Sequence, residues 1–176
     1  MALTHKIELM GIRKASFTPD GGTETQFLGI RKVSIDFDGI MKQAEGDDRI
    51  LAVFAFQKGA KVSTEYAAVD LDTLKVITGG TLTDSGTTPN QTTTLSIKSG
   101  ASPVGSFVIY GQITRGLGTG DIPQQVKITM PKFTIDSSSI KLGGNFEDIW
   151  TLSFGGVAIP NDTGEFMSIE FIETAT

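Results

Sequence analysis

Cysteine is absent from the chain, histidine and tryptophan occur once each, and tyrosine occurs twice. Without cysteine there is no disulfide, no thiolate nucleophile and no cysteine–zinc site, a composition that fits folding in a reducing cytoplasm. The single imidazole, His5, stands in a terminal stretch of the kind that frays. Ser63, Ser153 and the other hydroxyls therefore have no partner base, and no glycine-flanked nucleophile turn occurs. Paired carboxylates of the glycosidase kind are present in number, but a hydrolase usually brings more aromatic residues into its cleft than one Trp and two Tyr, so we expect no enzyme and no cofactor. Long apolar runs are missing too: none approaches the ~18 residues of a membrane span, and no basic, apolar leader opens the chain, so we expect a soluble, unprocessed protein with no membrane partner. Basic charge is also short. Fifteen Lys and Arg against 20 Asp and Glu leave a formal charge of −5, the wrong sign for gripping phosphates.

What the chain does have is period-2 alternation. Its 176 residues are enough for one domain over 1–176 that buries roughly 70% of the surface its unfolded form exposes. Residues 6–14 are apolar at Ile7, Leu9 and Ile12 and are interrupted by Gly11, which reads as a strand with a bulge at the glycine. With the turn-rich residues 18–26 this makes 1–26 an N-terminal strand and arm or loop. Residues 31–38 alternate cleanly, Val33, Ile35 and Phe37 inward and Lys32, Ser34, Asp36 and Asp38 outward. Residues 39–49 (GIMKQAEGDDR) have no period and read as a long exposed connection. Its two adjacent apolar residues, Ile40 and Met41, either tuck back on the core or are held for a partner chain. Residues 50–57 (ILAVFAFQ) are apolar throughout and read as a strand covered on both faces. Lys58-Gly59 then reads as a tight connection, making a hairpin of 50–68.

Residues 60–80 change period part-way. Val62, Thr64, Tyr66 and Ala68 alternate with Ser63, Glu65 and Ala67, after which Leu71, Leu74 and Ile77 fall three apart on one helical stripe. Asp70 or Asp72 supplies the N-cap, and Gly79 and Gly80 the stop. The expected unit is one strand feeding a helix of about two turns, stable only when packed on a sheet.

Beyond it, residues 81–94 are rich in turn formers, strands resume at 94–98 and 106–114, and 115–123 (RGLGTGDIP) reads as a second flexible loop. Its glycines lie between expected strands and do not open a helix, so they make no phosphate cradle. Residues 127–136 carry Ile128, Met130, Phe133 and Ile135, and the change of phase across Pro131 implies a bulge or an edge strand. Two last strands, 146–154 and 165–173, present Trp150, Leu152 and Phe154, then Met167, Ile169 and Phe171. Asp36, Asp38, Asp47 and Asp48 have the oxygen ligands of a cation site but read more simply as a solvated strand face and an acidic loop, and no metal is expected.

The order of these parts carries a resemblance: an alternating strand with outward acids, the acidic AEGDD, an apolar strand, a strand running into a short helix closed by two glycines (LAVFAFQKGAKVSTEYAAVDLDTLKVITGG), then Thr-rich strands and a final aromatic pair. Over residues 27–173 this resembles the major tail tube protein of long-tailed, siphovirus-type bacteriophages. The resemblance implies a mainly β fold, two packed antiparallel sheets forming a sandwich or barrel, flanked by one short α-helix. It implies hexameric rings stacked into a hollow tube in the virion tail, assembled in the bacterial host cytoplasm. Tape-measure, tail-tip and terminator proteins would be its partners, and DNA would pass through the lumen during ejection without specific binding. Outward acids would line that lumen, with Asp36, Asp38, Glu165 and Glu170 the candidates. Ile40, Met41, Asp47, Asp48 and Leu117 are the candidates for contacts between subunits or rings, and Leu71, Leu74 and Ile77 for packing the helix on the sheet. The other readings are the inner-tube protein of a contractile tail or of type VI secretion, similar to the haemolysin-coregulated protein, and a β-sandwich binding module.

Overall fold

A computed structural model describes residues 7–46, 49–67, 70–116, 123–144 and 149–173. Its elements are β1 (Ile7–Pro19), β2 (Thr25–Phe27), β3 (Ile30–Gly46), β4 (Arg49–Tyr66), α1 (Leu71–Thr78), β5 (Thr81–Ser85), β6 (Thr92–Ser96), β7 (Val104–Gly116), β8 (Gln125–Gly143), β9 (Thr151–Ala158) and β10 (Ser168–Ile172). The protein is mainly β, with two antiparallel sheets and one short helix, as the alternating patterns predict. An eight-stranded sheet runs β2-β1-β7-β8-β9-β4-β3 with β10 added on β8, and β5 and β6 form a separate hairpin.

The large sheet encloses the core by curling. Phe27 on β2, at one end of the strand order, packs against Tyr66 on β4 and Phe154 on β9, ring centroids 5.6 and 5.5 Å away. The Ala67 N–H donates to the Gly29 carbonyl at 2.8 Å beside that contact. Phe17, Phe107, Phe133 and Phe154 complete a fully buried aromatic centre, and edge-on and stacked ring pairs strengthen it beyond their area. The expectation of two packed sheets is thus met in class, while the core lies inside one rolled sheet.

Register breaks allow the roll. Gly11 lies at positive φ where β1 shifts against β7. Between Gly105↔Phe133 and Phe107↔Met130 one residue of β7 faces two of β8, so the bulge falls at Pro131, whose missing N–H costs no ladder bond there. β8 then exchanges neighbours, pairing β10 over its first residues and β9 over its later ones.

Helix α1 is closed as its sequence suggests. Asp70 is the N-cap and its carboxylate accepts from the Thr73 N–H at 2.6 Å, while Gly79 ends the helix in the left-handed region at φ 67°. Ile77 is fully buried and Leu74 packs against the core. Leu71 corrects the expected stripe: it is 40% exposed, and Thr73 is buried in its stead. The Thr73 hydroxyl is tied to Asp70 at 2.6 Å, so a polar side chain can sit inward without an orphaned donor.

Two readings of the middle of the chain are overturned. Lys58-Gly59 is not a turn. β4 runs straight through it, leaving Lys58 as a bulge residue between the pairs Asp38↔Gly59 and Gly39↔Gln57. Glycine is required at 59 because a Cβ there would collide with the Ala158 carbonyl of the paired strand. Residues 39–46 are not a connection but the second half of β3, paired with β4 as far as Gly46↔Arg49. The turn-rich residues 81–94 likewise include most of the β5–β6 ladder, from Thr81↔Ser96 to Ser85↔Thr92.

Candidate assembly interface

β3 and β4 pair with each other over their whole length, but β4 meets β9 only from Ala60 to Tyr66. Beyond Ala60 the two strands leave the sheet as a two-stranded arm, made of residues 39–46 and 49–57. Cross-strand pairs Ile40↔Phe56 and Lys42↔Phe54 lie on one face, Met41↔Ala55 and Gln43↔Val53 on the other. Met41 is 68% exposed, Phe56 63%, and Val53 and Phe54 just over half, so both faces of the arm offer apolar side chains to solvent. Ile40 is half-buried. An isolated two-stranded ribbon is marginal in water, and one this apolar is short of a covering surface.

The sequence marked Ile40 and Met41 but missed Val53, Phe54 and Phe56. A continuous apolar run reads as a doubly covered strand, whereas residues 53–57 of this run are exposed. The readable signal was length: two strands of 17 and 18 residues flank a glycine-containing acidic joint, longer than a sheet of this size needs. Asp47, Asp48 and Leu117 lie outside the described residues.

The acidic candidates divide. Asp36 is exposed and Asp38 half-buried on β3, flanking Phe37. Phe37 itself was expected inward, but it is 57% exposed, its ring edge-on to that of Phe166 with centroids 6.3 Å apart. Glu165 is exposed next to Phe166 in sequence, while Asp36 and Asp38 alternate with Phe37 along β3. Glu170 stands apart on β10, its carboxylate 3.7 Å from the Lys127 ammonium on the facing strand. Both side chains are partly exposed, so this ion pair is weak. No group of three or more His, Cys, Asp or Glu with metal-binding geometry occurs among the described residues. No described helix is long and apolar enough to cross a membrane.

A second apolar surface lies where the roll is open. β1, β7 and β8 on one side and β3 on the other bound a cavity of about 550 Å³, lined by Ile12, Ile109, Val126 and Ile128 against Val33 and Ile35. Arg31 and Lys32, both exposed, stand at its edge. Its size falls within the roughly 300–1,000 Å³ of clefts that hold a ligand or an anchoring group.

Two buried or bonded titratable groups depart from their ordinary behaviour. Burial pushes the Tyr66 phenol upward, and the neighbouring Thr64 hydroxyl offsets this only in part. Its oxygen makes no hydrogen bond of good geometry, because Thr64 donates instead to the Phe154 carbonyl at 2.9 Å. Asp136 is held below the usual carboxylate range by the Ser138 hydroxyl and N–H, at 2.7 and 2.9 Å. Those bonds shape the excursion between Asp136 and Lys141, where Ser139 accepts from the Gly155 N–H at 2.7 Å in place of a strand neighbour.

A scan against protein-family models returns no match, and no curated protein matches the chain.

Proposed function

We propose that this chain is a structural subunit of a phage tail tube, copies of which form rings that stack into a hollow conduit for DNA. The observation that carries the reading is the β3–β4 arm, a projecting ribbon whose Met41, Val53, Phe54 and Phe56 are each more than half exposed. An apolar projection that seats on a different surface of the next copy makes a head-to-tail contact, which repeats without closing as a filament requires. The large sheet also leaves β3, β2 and β10 with an unpaired side among the described strands, available to a neighbour's backbone. The resemblance in chain order points the same way.

Asp36, Asp38 and Glu165 are the acids proposed for the lumen, where like charge keeps phosphates from sticking. Glu170 contributes less, being paired to Lys127. Tape-measure and tail-end proteins are the further partners of this reading. A tube of the contractile or secretion type differs by a sheath gene beside its own. The open apolar cavity favours a second class, a ligand-binding module that stays monomeric. Negative-stain electron microscopy of concentrated protein separates the two. Rings or tubes are expected, and a monodisperse monomer under all conditions would overturn the assembly reading.

A further inference from the structure

We propose that the cleft between β3 and the β1–β7–β8 face binds a single-chain anionic amphiphile, with its aliphatic tail between the walls and its carboxylate at Arg31. The roll leaves a seam here. β1 meets β7 along one edge and, along the other, only β2 over Ala15, Ser16 and Phe17; β3 pairs only with β4, and no ladder of the described strands joins β1 to β3. Ile12, Ile109, Val126 and Ile128 line the seam from one side and Val33 and Ile35 from the other, around a volume of about 550 Å³. Ile109 and Val126 are almost fully buried and form its floor. An aliphatic cleft with a few polar groups at one end has the build of a small-molecule site.

The lining decides the class of ligand. It holds no aromatic ring and no carboxylate among the described residues, so a nucleobase or other planar ring finds no face to stack on, whereas a flexible tail finds branched aliphatic contacts on both walls. Charge decides the head group. Arg31 and Lys32 are consecutive, and a regular strand would send them to opposite faces. Arg31, however, is the extra residue between the pairs Ile30↔Tyr66 and Lys32↔Glu65, and this bulge re-aims the chain so that both cations border the cleft. Lys32 has Glu65 across the ladder to offset its charge, while Arg31 forms no ion pair among the described residues. A guanidinium holds a carboxylate through two parallel hydrogen bonds, which makes Arg31 the head-group contact. From Arg31 to Ile35 the β3 wall runs ~13 Å at ~3.3 Å per residue, the reach of one medium-length tail. The cleft belongs to the body of one subunit, so its ligand holds or fails independently of tube formation.

Titration calorimetry of the unassembled protein with octanoate, decanoate and dodecanoate, each below its micelle concentration, is expected to show one site whose affinity rises about fourfold per methylene. Decyltrimethylammonium, with the same tail and the opposite charge, should bind ~10-fold more weakly than decanoate. Arg31→Gln should weaken decanoate by ~10-fold and leave decanol unchanged, a split that a merely unstable variant would not give. Val33→Phe fills the cleft from its half-buried wall and should abolish binding with an unchanged circular dichroism spectrum. In methyl NMR spectra, a nitroxide-labelled decanoate should broaden Ile109, Val126 and Ile128 first. Equal affinity for decanoate and decyltrimethylammonium, or broadening first at Met41 and Val53 of the arm, would overturn the proposal. So would an unassembled protein that binds none of these probes and shields the same methyls only on self-association, which would give the cleft to a protein contact.

Discussion

Tyr66 is the residue whose environment is least comfortable. It is fully buried among Phe27 and Phe154, yet its hydroxyl lacks a good partner. A buried unsatisfied group costs about 1–3 kcal/mol, so Tyr66→Phe is expected to raise the melting temperature, by ~2–4 °C for each kcal/mol recovered. The same phenol gives an alkaline limit. Its folded pKa lies above the unfolded value of ~10, so its contribution is whole below pH ~10 and is lost as the unfolded state alone deprotonates. Urea denaturation between pH 9 and 11 should show stability falling in the parent and falling less in the phenylalanine variant. Asp136 has the opposite sign. Its lowered pKa favours the fold above the ordinary carboxylate range and ceases to help as pH drops below it, while Asp136→Asn should leave little acid dependence from this site.

At the scale of elements, α1 is a cap on the rolled sheet and the arm is an outrigger from it. Removing the N-cap carboxylate in Asp70→Ala frees the Thr73 N–H and hydroxyl together and should cost ~1–2 kcal/mol, read as a shift of the urea midpoint. Leu74→Asp places a charge against the core and is expected to abolish folding, and with it assembly, whereas Leu71→Asp, on the exposed side, should be tolerated. Lys75→Ala should alter neither unless a neighbouring subunit meets that face. In the arm the reverse separation holds. Val53→Ser with Phe56→Ser removes apolar surface that the monomer never buries, so folding should be untouched and sedimentation should report a loss of large species. The helix was legible because capping is local: Asp70, Gly79 and the three-residue spacing act through the backbone next to them. The arm was not legible as an arm. Residues 50–57 have the composition of a buried strand, and composition carries no information on whether the burying partner is intramolecular.

For the whole molecule the same division decides what assembly would look like. A core of phenylalanines rolled inside one sheet makes a self-sufficient body, and the exposed Met41, Val53, Phe54 and Phe56 of the arm lie outside it. Reversal of Asp36, Asp38 and Glu165 to lysine should leave tube formation intact while making the tubes bind DNA in a salt-dependent way, measured by co-sedimentation. Tubes that gain no affinity for DNA would place these acids away from the lumen.

Alternation from Val62 to Tyr66, the bulge at Gly11, the break of phase at Pro131, which the sequence leaves as a bulge or an edge strand, and the closed ends of α1 follow from the sequence alone, because each depends on a period or on one residue's backbone limits. Val62, Thr64 and Tyr66 are buried on one side as their spacing requires. Which apolar strand stays outside was settled only by the tertiary structure. Ala60 is the last residue of β4 that β9 reaches before the strand enters the arm, and beyond it β3 alone among the described strands pairs with β4, which leaves Phe56, Phe54 and Val53 more than half exposed. Burial is a property of what stands opposite, and a single strand's residues do not say what that will be.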